Sequence, residues 1–228
     1  MRAALRVPAV LMTVVIGTAG AASCSHDSPK ASASGRPKTA MPHAAPSERA
    51  APRAADLPQH AVTADKRPSF GAADTMAAGY TGKGFLTGLS KKWKLKLDKP
   101  VEQEMPDGKM RTYINGRGEN GVTVSAGYAD HRDLSSLLCR TRTDRSRGFG
   151  FLAACTGLDV SGVDHGKASS WLEQAKKETD SLYAKKVAES GSKKEYVVSG
   201  AFTSGPVTMI LHRAYDKYSL RILGGAVT

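Results

Sequence analysis

Residues 139 to 155, CRTRTDRSRGFGFLAAC, set four arginines and two phenylalanines between two cysteines. In an oxidising compartment Cys139 and Cys155 can pair, and closing a loop of fifteen residues stabilises a fold by about 3 kcal/mol. The guanidinium groups of Arg140, Arg142, Arg145 and Arg147 suit bidentate grip on phosphate or carboxylate. Where this stretch is extended, Arg140 and Arg142 project to the same face. Phe149 and Phe151 are expected to turn into the core beside the disulfide. The same arginines equally suit a plain solvated loop. The cysteine spacing is not of zinc type and no histidines cluster around it, so neither metal nor cofactor is expected.

Elsewhere the sequence offers little chemistry. It contains no P-loop, no G-x-S-x-G, no H-E-x-x-H and no C-x-x-C. Ser190-Gly191-Ser192-Lys193 matches the bare S-x-x-K string, but it follows a helix in a short domain and is read as chance. The densest polar cluster is Asp130-His131-Arg132-Asp133. There His131, beside two carboxylates, has the composition of a general base. No motif fixes a nucleophile near it, so no enzyme is expected, and a small envelope hydrolase using His131 and its neighbouring carboxylates stands as the alternative.

The N-terminus supplies an address. Arg2 and Arg6 precede an apolar run from Val7 to Ile16, and small residues follow in GTAGAASC. That is the order of a secretory signal, and the run falls short of the about 20 apolar residues a membrane-spanning helix needs. Ala21-Ala22-Ser23-Cys24 resembles the lipobox of bacterial lipoproteins, with Ala21 where leucine is usual. The resemblance implies lipid attachment at Cys24. The chain has three cysteines, an odd number for an exported protein, and a lipid on Cys24 leaves Cys139 and Cys155 as a pair. Expected localisation is therefore the extracytoplasmic face of the cell membrane, or secretion if Cys24 is not lipidated.

Export bears on a second resemblance. Arg147-Gly148-Phe149-Gly150-Phe151-Leu152 resembles the RNP1 strand of RNA-recognition motifs, which implies base stacking on the phenylalanines. However, Ala154 stands where a second stacking aromatic belongs, and GVTVSAGY reads as a strand where that fold needs its first helix. No nucleic-acid partner is expected for an exported chain.

The expected organisation is a signal peptide over residues 1–23, a lipid-attachment cysteine and disordered Ala/Pro-rich linker over 24–79, and one domain over 80–228. Residues 25 to 79 hold seven prolines and hardly any large apolar residue, too little to offset the entropy of ordering. As a flexible coil such a tether spans on the order of 40 Å. In the domain, FLTGLSKKW suggests a short helix, and WKLKLD, MRTYING and GVTVSAGY suggest strands, with Asn120-Gly121 as a turn. A long helix is expected from about Lys167 to Ala188, capped near Asp164 or His165 and stopped at Gly191. EYVVSGAF, PVTMILHRA and YSLRILG follow as strands. The fold class is α+β, an antiparallel sheet of about six strands with one long and one short helix packed on it. The order is similar to the tandem helix-plus-sheet layout of beta-lactamase-inhibitory-protein-like domains, a resemblance that implies architecture alone.

From residue 80 onward 24 lysines and arginines stand against 16 aspartates and glutamates, so the domain carries +8 of the chain's +12. Such a surface is drawn to anionic polymers or acidic proteins. The expected function is a lipid-anchored envelope protein that acts by binding, held to the membrane through its anchor.

Overall fold

Alternating side chains along extended runs and one-sided apolar stripes along helical runs divide the domain into strands and helices. A computed structural model describes residues 57–63, 65, 73–105, 108–129, 132–144 and 147–225. The expected signal segment, Cys24, most of the expected linker, His131 and Arg145 lie outside the described residues. In chain order the elements are β1 (Val62–Thr63), α1 (Lys83–Trp93), β2 (Lys96–Leu97), β3 (Val101–Glu104), β4 (Met110–Arg117), β5 (Thr123–Tyr128), β6 (Leu134–Arg142), α2 (Gly148–Thr156), α3 (His165–Ser190), β7 (Tyr196–Val198), β8 (Phe202–Ser204), β9 (Val207–Ala214) and β10 (Lys217–Gly224).

All strands join one antiparallel sheet in the order β1-β7-β9-β10-β6-β5-β4-β2, with β3 also on β4 and β8 also on β9. The architecture is α+β, with ten strands and three α-helices among the described residues instead of about six strands and two helices. Five of the ten are short pieces at the two ends of the sheet. β2 and β3 share β4 as partner across Pro100, a residue with no N–H to give to a ladder. β7 and β8 share β9 in the same way, and β1 adds to β7.

Two further differences concern the Cys-bounded segment. Leu134–Arg142 is a central strand, and the stretch that resembles RNP1 is the helix α2. The stacking-strand reading of Phe149 and Phe151 is thereby overturned: Phe151 is fully buried against Trp93, and Phe149 packs edge-on to Tyr218.

Helix α3 forms as its sequence suggests. Asp164 accepts a hydrogen bond from the Lys167 N–H at 2.9 Å, which satisfies one orphan donor of the first turn. Gly191, at φ 67°, closes the helix in the left-handed conformation, its N–H donating to the Val187 carbonyl. Ala168, Leu172, Ala175 and Thr179 form the buried stripe.

The core lies between the helices and one face of the sheet. Val124 and Ala126 of β5, Leu137 and Cys139 of β6, Met209 and Leu211 of β9, and Leu220 and Ile222 of β10 meet Leu86 and Leu89 of α1, Phe151 and Leu152 of α2, and Leu172 of α3. Packing also extends to residues before 80. Leu57 and Met76 are buried, and Asp74 bridges to Gly224. Gly200 and Gly224 permit this approach, since a Cβ on either would lie 2.3 Å from the carbonyl oxygen of Gln59 or Asp74.

Candidate anion-binding face

Side chains alternate across a strand, so the residues between the core positions form the opposite face. Antiparallel partners share a face, and the register therefore maps it. One row runs Lys96 on β2, Arg117 on β4, Thr123 on β5, Arg140 on β6 and Ser219 on β10. Arg221 stands one diagonal step from Arg140, opposite Leu138, and Lys217 stands opposite Arg142. Lys96, Arg117, Arg140 and Lys217 are exposed and Arg221 is partly so. Further along the face, on β9, Thr208, Ile210 and His212 are buried, so the accessible part is confined to β2, β4, β5, β6 and β10.

The expected arginine loop does not exist as a single loop. Arg140 and Arg142 end strand β6 and share the face opposite the helices, as alternation requires. Arg147 is at the N-terminus of α2, which packs on the other side of the sheet. The disulfide joins Cys139 to Cys155, Cα atoms 6.7 Å apart and both side chains fully buried, and so clips β6 to α2 inside the core.

The arginines also differ in their partners. Arg142 Nε lies 3.2 Å from Asp144 Oδ1, and its Nη1 lies 3.8 Å from Asp216 Oδ2. The hydrogen bond and charge of Asp144, then the charge of Asp216, hold the guanidinium above its ordinary pKa. Two carboxylates thus already occupy Arg142. By contrast, Lys96, Arg117, Arg140, Lys217 and Arg221 have no carboxylate partner among the described residues.

Two other places were candidates for chemistry. Asp180 on α3 accepts from Lys176 at 2.9 Å, from Arg213 Nε at 3.1 Å and from the Tyr218 hydroxyl. Burial pushes its carboxyl up, and the hydrogen bonds from Tyr218, Lys176 and Arg213 outweigh this and hold it below the ordinary range. The same burial, with the Asp180 carboxylate, pushes Tyr218 far above its ordinary value. Every charge here is consumed by a neighbour, and the cluster ties α3 to β9 and β10. An open cleft of about 350 Å³ between α1 and α2 is lined by Phe85, Leu89 and Ala154, with Lys92 and Asp159 also on its wall. No nucleophile is paired with a base in it.

Among the described residues no group of three or more His, Cys, Asp or Glu side chains is placed to hold a metal ion, and no helix is long and apolar enough to cross a membrane. No local pattern in the sequence marks Lys96, Arg117, Lys217 and Arg221 as members of one site. Alternation in YSLRILG does turn Arg221 away from Tyr218, Leu220 and Ile222. What places it beside Arg140 is strand register across distant segments, which no local pattern carries.

The chain was compared with protein-family models, with curated proteins and with solved structures, and none of the three gives a match.

Proposed function

We propose that the protein acts by binding, as a lipid-anchored component of the extracytoplasmic face of a bacterial membrane, and that it meets an anionic partner with the cation stripe of its sheet. The observation that supports this reading is the run Lys96, Arg117 and Arg140 on one row of an exposed face, with no carboxylate neutralising it among the described residues. Evenly salt-bridged surface cations contribute little to stability and attract little. Unneutralised ones gathered on one face project a positive field that draws anions.

Arg140 keeps the role assigned to it from the sequence. Arg142 supports the field while its own contacts are taken, and Arg147 lies off the stripe. The test is co-sedimentation of the full chain with purified cell-wall fragments that carry anionic polymer. The triple variant K96Q/R117Q/R140Q is expected to lose retention at least tenfold, while Arg147→Gln retains it. Equal retention of the triple variant and the parent overturns the reading.

A further inference from the structure

The geometry points to a more specific ligand for this face: a linear polymer of phosphodiester-linked units without aromatic rings, lying across the strands. The inference rests on the binding reading above and adds the class of partner.

Three features of the face carry it. The first is shape. Lys96, Arg117, Arg140 and Arg221 run from β2 to β10 over four strand spacings, about 19 Å, as a stripe one side chain wide for most of its length. A stripe matches a chain of charges, whereas a bilayer surface is matched by a broad disc. The second is what stands between and beside the cations. Thr123 and Ser219 flank Arg140 on the same row, and Ser125 lies beside Leu138 on the next. These hydroxyls are short donors at the level of the guanidinium stems. A phosphodiester, with two non-bridging oxygens and several lone pairs, accepts from a guanidinium and a hydroxyl together. The third is what the stripe lacks. Single-stranded nucleic acid is held on aromatic platforms. Tyr113 lies over Gly127, Tyr196 bonds His212, and the exposed Tyr215 stands in the β9–β10 turn on the Arg142 side, and none of the three belongs to the row of Lys96, Arg117 and Arg140.

The contact predicts its own salt dependence. Four cations replacing counterions along a single-stranded polyanion give log affinity a slope of about −3 against log salt. Removing one cation changes that slope by about 0.7 and weakens binding about fivefold.

The experiment uses the full chain in neutral detergent with poly(glycerol phosphate), with poly-γ-glutamate at equal charge, and with the chain held on neutral or phosphatidylglycerol-containing vesicles. The expected result is binding of poly(glycerol phosphate) with the slope above. Lys96→Gln, Arg117→Gln, Arg140→Gln and Arg221→Gln should each reduce it with unchanged Tm, while Lys185→Gln on α3 leaves it alone. Equal or tighter binding of polyglutamate overturns the phosphodiester assignment and leaves anion binding standing. Loss of polymer binding once phosphatidylglycerol, itself a phosphodiester, enters the vesicles overturns the linear polymer and makes the bilayer the occupant. Binding of no anion at all sinks both readings.

Discussion

Gly148 shows how much of this fold turns on single atoms. A Cβ at that position would lie 1.9 Å from Thr141 Oγ1, so α2 approaches β6 only because the side chain is absent. Gly148→Ala therefore forces helix and strand apart, and urea denaturation should show a loss of about 1–3 kcal/mol, the usual range for overpacking. Gly88, exposed in the middle of α1, has nothing within 4 Å of a Cβ. There the same substitution removes backbone entropy from the unfolded chain and should add about 0.5–1 kcal/mol. Opposite signs from one substitution check the contact directly, and a gain at both positions would contradict the packing of α2 on β6. At this scale the sequence is partly transparent. Alternation alone places Arg140 and Arg142 on one face. That Asp216 reaches Arg142, and so removes it from the free cations, depends on the β6–β10 register, which no neighbouring residue encodes.

Among elements, legibility follows the strength of local signals. Helix α3 has a capping aspartate, a buried stripe and a glycine stop, all within its own residues, and its expected and observed limits differ by two residues at each end. Strand β6 lacks such a signature. Its covered face takes Ser135 and Thr141 along with Leu137 and Cys139, while Leu138 sits on the other face, so apolar and polar residues do not alternate. Helix α2 is disguised by Gly148 and Gly150, which argue for a turn locally, although Gly148 is required for the tight packing of the helix on β6. The disulfide links these two poorly signalled elements, and its prediction belongs here. The paired replacement Cys139→Ser and Cys155→Ser should lower stability by about 2–4 kcal/mol, read as a shift in the urea midpoint. Cys139 points to the core and Arg140 to the other face, so the doubly substituted chain, kept below its melting temperature, should still bind the anion. Loss of binding in a chain that remains folded would mean that the disulfide shapes the stripe itself.

At the scale of the whole molecule, two cations on neighbouring strands are a local accident, while five without a carboxylate partner among the described residues, on one side of a sheet whose other side is covered by helices, divide the labour of the protein. One face holds the fold, and the accessible part of the other, on β2, β4, β5, β6 and β10, is the surface that we propose meets a partner. The anchor we propose completes this division. Cys139 and Cys155 are consumed by each other, so of the three cysteines Cys24 alone is left for a thioether. Intact mass of the native protein should show a diacylglycerol-sized addition at Cys24, and Cys24→Ser should move the chain from the membrane to the soluble fraction with unchanged Tm. Tethering raises the effective concentration of the stripe near the membrane without adding a contact. The Cys24→Ser chain should therefore bind soluble polymer with the parent's affinity, yet lose apparent retention on intact envelopes. If its affinity for soluble polymer falls as well, the N-terminal segment takes part in the contact, and the stripe alone does not account for recognition.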